Sequence, residues 1–187
     1  MPVWIWILLA LIAVWVIVDF NKLVSLRNRA EGSWSDIDVQ LKRRHDLVGN
    51  LVETVKGYAA HERGTLESVT LARSRAETAR TDARPASSGA AERALTGELG
   101  RLIAVAEAYP DLKASDRFLD LQRALVEVED ALQNARRYYN AVVRDLNTRI
   151  QSVPDFLIAR LLGFREREFF ELDDRTEAAA PRVEMTR

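Results

Sequence analysis

The first eighteen residues, MPVWIWILLALIAVWVIV, contain no charged side chain. A helix of that length is about 27 Å long, just under the ~30 Å hydrocarbon core of a bilayer. A cleaved signal peptide would carry a lysine or arginine before the apolar run and a small-x-small cleavage site after it, and both are missing. A buried core helix is the alternative, but such helices rarely continue for eighteen residues without a charge. The run therefore predicts a transmembrane anchor over residues 1–20.

Residues at both ends of this run are typical of membrane interfaces. Trp4 and Trp6 lie near one end and Trp15 lies toward the other, where amphipathic rings prefer to sit. Three basic residues follow the run closely: Lys22, Arg27 and Arg29. Because basic residues favour the cytoplasmic side, we expect a single-pass protein with a short outside N-terminus and a cytoplasmic C-terminal domain. Trp4, Trp6, Trp15 and Lys22 are the predicted interface residues.

The composition narrows the class of the remaining chain. Hydrophobic residues make up 48% of it, enough to bury a core, and 27 basic residues nearly balance 28 acidic ones. A dedicated nucleic-acid-binding protein normally has a basic excess, so we expect no nucleic-acid partner. The absence of cysteine excludes disulfides and thiolate metal sites. Few glycines and prolines interrupt a sequence rich in Ala, Leu, Glu and Arg, which favours an all-α fold.

After the anchor, apolar residues recur at steps of three and four, which places them on one stripe of a helix. The part of the stripe nearest the anchor holds Leu23, Leu26, Ala30, Trp34, Ile37 and Leu41. The pattern predicts that the helix continues to about Arg80. Gly49, Gly57 and Gly64 each weaken it by about 1 kcal/mol relative to alanine, so local bends are expected.

Two further helices follow. Residues 81–91, TDARPASSGAA, predict a loop, and a second helix is predicted from Glu92 to Tyr109. From Asp116 to Ser152 two sets of apolar residues repeat every seven positions, starting at Phe118 and Leu121. These patterns predict an up-and-down antiparallel helical bundle with coiled-coil-like packing over residues 21–164.

The end of the chain changes character. A short apolar helix, FLIARLLGF, is predicted to end at Gly163. Residues 165–187 are polar and predict a disordered C-terminal tail.

A difference in helix length suggests self-association. The predicted first helix is about 90 Å long and the third about 55 Å, so part of the first helix near the membrane lacks an intramolecular partner. We therefore predict a homo-oligomer that packs through Leu23, Leu26, Ala30, Trp34, Ile37 and Leu41. The alternative is that helices two and three run end to end along the first helix, bending at Pro110.

The histidines are the best candidates for chemistry, and they are weak ones. His45 and His61 stand sixteen residues apart on one predicted helix, about 24 Å along its axis, so they cannot bind one ion together. Neither belongs to an HExxH or Glu-x-x-His motif. We expect His45 to bond a nearby carboxylate, Asp38 or Asp46. No catalytic, cofactor-binding or metal-binding residue is predicted.

Other polar residues have structural interpretations. Arg44 falls where the apolar stripe requires a hydrophobic residue, which predicts a bond to a partner helix. Tyr139 belongs to the heptad pattern, so its ring is predicted to be in the core with its hydroxyl at an edge. Asn140 and Asn147 lie beside the same pattern and are predicted to fix helix register.

Three long stretches resemble the LemA family: SWSDIDVQLKRRHDLVGNLVETVKGYAAHE, AVAEAYPDLKAS and ARRYYNAVVRDLNTRIQSVP. The resemblance implies a bacterial single-pass membrane protein with a helical up-and-down bundle, without a known enzymatic activity or cofactor. The sequence departs from the family pattern at Gly49, where proline is expected.

The leading functional hypothesis is a non-enzymatic scaffold or adaptor, anchored in the bilayer by residues 1–20, that contacts unidentified proteins and copies of itself. One alternative is a peripheral lipid-binding or membrane-remodelling protein, because FLIARLLGF with Arg160 and Arg165 is amphipathic. The other is a hydrolase that uses His45 with Asp46 or Asp38.

Overall fold

The computed structural model describes residues 2–82 and 84–171 of the chain. These residues form six helices: α1 (Val3–Tyr58), α2 (Arg63–Thr81), α3 (Pro85–Glu107), α4 (Pro110–Lys113), α5 (Asp116–Gln151) and α6 (Asp155–Leu161). No strand occurs within the described ranges, so the prediction of an all-α helical bundle is confirmed. The described residues form two compact units, and both α1 and α5 contribute residues to each.

Unit one contains the described residues up to Arg43 together with Glu127–Phe169. Within it, α5 runs antiparallel to α1. Three contacts in order along α1 show this: Asp19 with Arg149 at 2.6 Å, Trp34 with Tyr139 at 5.4 Å between ring centroids, and Arg43 with Glu127 at 3.8 Å. Tyr139 is buried, as its heptad position predicts, and its hydroxyl donates to the carbonyl of Glu168.

The apolar stripe near the anchor is covered within the chain. Leu23, Ala30, Ile37 and Leu41 are fully buried, while Leu26 and Trp34 are half-buried. The premise that this stripe lacks an intramolecular partner is therefore wrong. The reason is that α5 extends along the first half of α1, as the alternative arrangement of helices requires.

Unit two contains Arg44–Val126 and the described residues from Phe170. Its core lies among α1, α2 and α3 and includes Leu51, Val55, Val69, Leu95 and Leu102. The predicted continuous helix to Arg80 is wrong, because residues 59–62 turn the chain and let α2 fold back against α1. Gly57 and Gly64 lie on either side of this turn, where they weaken the helix.

The predicted loop over residues 81–91 is mostly helix. Pro85 occupies the first turn of α3, where its missing N–H costs no hydrogen bond. Ser88 and Gly89 are buried because α3 packs closely there: the Ser88 hydroxyl donates to the carbonyl of Ala79, and a Cβ on Gly89 would lie 2.2 Å from the carbonyl oxygen of Glu171. The small residues of this stretch serve close packing.

The chain after α6 is only partly the predicted tail. Gly163 has a left-handed φ of 73°, and the Phe164 N–H bonds the Ala159 carbonyl, which is the Schellman ending of a helix. Residues 165–171, predicted as disordered, instead pack against the units. The side-chain amide of Asn147 donates to the Arg167 carbonyl and accepts from the Arg167 N–H, both at 2.9 Å. The predicted tail over residues 172–187 lies outside the described residues.

The first part of α1 is bare. Its side chains from Val3 to Val18 are almost all exposed, although they are apolar. Within the described residues, α1 is the one helix long and apolar enough to cross a membrane.

A pair of substitutions two residues apart tests the intramolecular burial of the stripe. Ile37 is fully buried and Val39 is 62% exposed on the same helix. We expect Ile37→Ala to lower the free energy of unfolding by about 2–5 kcal/mol, because it removes buried methyl groups and leaves a cavity. Val39→Ala should change it by less than about 0.5 kcal/mol. Unfolding of the full-length protein in detergent, followed by circular dichroism, measures both; equal effects would contradict the packing of α5 on this stripe.

Candidate functional site

A buried carboxylate joins two neighbouring residues of α1 to α3. The side chain of Glu92 is 1% exposed and accepts two charged hydrogen bonds. Arg44 Nη1 lies 2.6 Å from its Oε2, and His45 Nε2 lies 2.6 Å from its Oε1. A second arm of the Arg44 guanidinium donates to the hydroxyl of Thr96, one turn further along α3. The prediction that Arg44 bonds a partner helix is confirmed.

A second carboxylate, from α2, holds the other side of the His45 ring. Glu77 Oε2 lies 2.6 Å from His45 Nδ1, and Arg80 Nη2 lies 2.8 Å from Glu77 Oε1. His45 therefore connects α1 to both α2 and α3. The predicted partners of His45, Asp38 and Asp46, are wrong, because its ring faces two other helices and not its own.

The two carboxylates set the charge of the imidazole. Burial by itself lowers the pKa of His45, but the hydrogen bond and charge of Glu92, and then those of Glu77, outweigh it. The pKa of His45 is therefore raised above its ordinary value of 6.5. The hydrogen bond from Arg80, followed by that from His45, lowers the pKa of Glu77 to about 2. Both contacts of the ring are hydrogen bonds only in the imidazolium, because a neutral imidazole has a single N–H.

This arrangement stabilises a fold better than it supports chemistry. Metal coordination requires a ring nitrogen with a free lone pair, and both nitrogens of His45 face carboxylates. Glu92 and Glu77 are themselves paired with Arg44 and Arg80. The described residues contain no cluster of three metal-ligating side chains. His45 is 1% exposed, which leaves no access for a substrate, and this observation weakens the hydrolase hypothesis.

The second histidine takes no part in this network. His61 lies in the turn between α1 and α2, not on the same helix as His45, and it is exposed.

Arg73 of α2 reaches into α1 beside Gly49. Its Nε donates to the carbonyl of His45 at 2.6 Å, the carbonyl four residues before Gly49. A Cβ on residue 49 would lie 3.2 Å from the Arg73 guanidinium carbon, so glycine leaves room for this group.

One sequence signal for this network is a charged residue in the apolar pattern of α3. Glu92 lies three residues before Leu95 and seven before Leu99, on the buried face of α3. It is thus a charge at a core position, as Arg44 is on α1. Two opposite charges at core positions of different helices predict each other, because neither can be buried alone.

A second group of polar contacts lies in unit one, where the bare part of α1 ends. Asp19, the first charged residue of the chain, is 1% exposed, and its Oδ1 accepts from Arg149 Nη2 at 2.6 Å. Arg149 also lies 3.1 Å from the carboxylate of Asp155 in α6. Asp19 Oδ2 is buried and has no hydrogen-bond partner in the described part of the chain. The predicted interface residues Trp4, Trp6, Trp15 and Lys22 are exposed on α1.

Removal of the charge on Glu92 should be costly. Glu92→Gln leaves Arg44 buried without a counter-ion, and we expect the free energy of unfolding to fall by about 3–5 kcal/mol. Glu53→Gln is the matched control, because its carboxylate is 68% exposed and pairs with Lys56 at 3.7 Å; it should cost less than about 1 kcal/mol. Chemical unfolding of full-length protein in detergent measures both, and similar costs would mean that Glu92 contributes as a surface charge.

The raised pKa of His45 makes stability depend on pH. Below 6.5 its contribution is fully present, and it is lost as the pH rises through the folded-state pKa. The melting temperature should therefore fall as the pH is raised above 6.5. On the acid side, the contribution of Glu77 is lost as the pH falls below 4.5 toward about 2. His45→Gln should flatten the alkaline slope and His61→Gln should retain it; an unchanged slope in His45→Gln would refute the assignment.

Comparison with known proteins places the chain in a family. The profile of the LemA family matches residues 33–185. Magnetosome protein MamQ of Magnetospirillum gryphiswaldense is 27% identical over 178 residues, covering 83% of this chain and 65% of the relative. Magnetosome protein MamQ 1 of Paramagnetospirillum magneticum is 27% identical over 180 residues, covering 83% and 66%. Protein LemA of Metamycoplasma hominis is 25% identical over 154 residues, covering 82% and 69%.

The match thus spans just under two thirds of the length of the MamQ relatives. The family profile, in contrast, covers most of this chain, from just past the midpoint of α1 into the residues beyond α6. The chain belongs to the LemA family.

Proposed function

We propose that this membrane-associated protein is a non-enzymatic scaffold or adaptor of the bacterial cell envelope that works through contacts with other proteins and with copies of itself. One observation carries the proposal. The helix α1 is unbroken from Val3 to Tyr58, so the candidate membrane span continues directly into both packed units. Unit one is therefore joined to the span by continuous helix and not by a flexible linker.

The charged interior of unit two supports the same proposal. The buried side chains of Arg44 and His45 both bind the carboxylate of Glu92. Charges that are paired inside the bundle specify a single alignment of α1, α2 and α3. A single alignment suits a protein that presents a defined surface.

The orientation in the membrane is part of the proposal. Lys22, Arg27 and Arg29 follow the span within three turns of α1 and are exposed. The excess of basic residues on this side favours a cytoplasmic position for the part of the chain after the span.

Self-association is retained, but it is assigned to a surface other than the stripe of α1 that was first predicted. Four of the six residues first assigned to it are fully buried by α5 and are not available to a second copy. Contacts between copies must then use the lipid-facing side of the span or the outer faces of the units.

A second candidate function, peripheral lipid binding or membrane remodelling, is favoured by one observation. The side chains of Leu157 and Leu161 in α6 are exposed, although they are apolar.

Affinity purification from native membranes tests the scaffold proposal. We expect tagged full-length protein to recover specific proteins after mild cross-linking, and to have a mass above that of a monomer in detergent by light scattering. The matched control is the same tag on residues 1–20 alone, which keeps the membrane contact and lacks the units. Recovery of the same proteins by both, with a monomeric mass for the full-length protein, would contradict the proposal.

A further inference from the structure

The antiparallel packing in unit one determines where α5 ends. Arg149 contacts Asp19, and each later residue of α5 lies one helical rise, about 1.5 Å, nearer the N-terminus of α1. Together with the contacts of Trp34 and Arg43, this places Gln151, the last residue of α5, close to the level at which the bare apolar segment ends at Val18. The chain after α5 begins where the candidate membrane span stops.

The chain then returns along α1 in the opposite direction. The ring of Phe164 packs edge-on against Phe20, with 6.1 Å between centroids, and the guanidinium of Arg27 lies 5.7 Å from the Phe164 ring centroid. Further on, Arg167 Nη2 lies 2.6 Å from the carboxylate of Glu31. Residues 152–163 consequently form a turn, here called the tip, beside the part of α1 at which the span stops.

The tip has two apolar sides. Its inner side, Ile158 and Ala159, is buried and closes the end of the bundle. Its outer side consists of large apolar residues that are exposed to different degrees: Val153, Phe156, Leu157, Leu161 and Leu162. Val153 and Leu161 are each 84% exposed.

The exposed side of the tip carries one basic residue. Arg160 lies between Phe156 and Leu157 on this side of α6, and its long side chain can extend past apolar neighbours to lipid phosphates. Arg165 and Glu166 are exposed just beyond the tip, and the carboxylate of Asp155 pairs with Arg149. Apolar side chains combined with an arginine that can reach the headgroups are typical of segments that lie in a membrane interface.

We propose that the tip inserts its outer apolar side chains into the headgroup–acyl boundary of the leaflet from which α1 emerges. The bilayer is the partner of this surface because the tip lies beside the end of the apolar span of α1, and the span itself requires lipid. An apolar cluster of this size is unfavourable in water, and burial of each large side chain in an apolar environment is favourable.

The proposed contact gives the protein two attachments to one leaflet. The span alone permits rotation about its axis and tilting, whereas a second contact on one side of α1 restricts both. The buried pair of Asp19 and Arg149 lies between the two attachments, at the level of the headgroups. This inference goes beyond the scaffold proposal, because the tip can be inserted whether or not the units recruit proteins.

The experiment uses single cysteines in the full-length protein, which has none of its own. Leu157→Cys carries an environment-sensitive fluorophore at the tip, where the native side chain is 64% exposed. The matched control is Val39→Cys, which is 62% exposed on α1 and about 30 Å along the helix from Asp19. Both proteins are reconstituted in vesicles of phosphatidylethanolamine and phosphatidylglycerol.

We expect the label at position 157 to show blue-shifted emission, quenching by shallow nitroxide lipids and loss of quenching by aqueous iodide. The label at position 39 should show the emission of a fluorophore in water, no quenching by nitroxide lipids and full quenching by iodide. A label at Leu161→Cys should repeat the result of position 157, which guards against local misfolding at one site.

Two results would overturn the proposal. One is a label at the tip that reports water as fully as the control does. The other is a blue shift that vanishes when the protein is diluted in excess lipid, because it would show that a second copy, not the bilayer, covers the tip.

Discussion

The structure depends on a change in the surroundings of α1 at Asp19. Before this residue the helix is apolar on every side and bare, as a lipid environment requires; after it, one stripe is apolar and is covered by α5. The change is marked by an ion pair between Asp19 and Arg149, of which the aspartate side chain is 2% exposed. Because α5 is antiparallel to α1, this pair also sets the level at which α5 must end. The position of α6 and of the returning segment follows from that one contact.

Unit two is organised by a different interaction, a carboxylate placed where an apolar residue would be expected. Glu92 is satisfied only when α1 presents Arg44 and His45 to it together. Well-packed apolar residues in these places could be equally stable, so stability alone does not account for the charges. We infer that they select one alignment of α1, α2 and α3, because any shift by one turn would bury at least one charge without a partner.

In both units polar side chains hold neighbouring segments together, but the groups that they bind differ. In unit one, Asn147 bonds both polar atoms of the Arg167 backbone and Tyr139 bonds the carbonyl of Glu168, so an extended segment without its own regular hydrogen bonds is held on the bundle. In unit two, the side chains are charged and the partners are helices.

Much of the fold was predictable because its signals are local. The uncharged run at the N-terminus, the three- and four-residue spacing along α1 and the heptads of α5 are each contained in a continuous stretch, and each lies in a helix, although α1 ends at Tyr58 and not at Arg80. Gly163 ends α6 for an equally local reason, since a left-handed residue favours glycine. Arg44 could be assigned to a partner helix because a charge interrupts an otherwise apolar stripe.

Other features could not be read in this way, because they depend on which helices meet. The sequence around residues 59–62 contains no proline, and the turn forms because α2 buries Val69 and Ala72 against the rest of unit two. Ser88 and Gly89 resemble loop residues until the close approach of Ala79 and Glu171 explains their size. The sequence by itself determined the helical class, the helix α5 and the candidate membrane span, since helix periodicity and hydrophobicity act over neighbouring residues. Only the tertiary structure decided that Glu77 and Glu92 bind His45, and that α5 covers the stripe of α1, because these contacts join residues more than thirty positions apart.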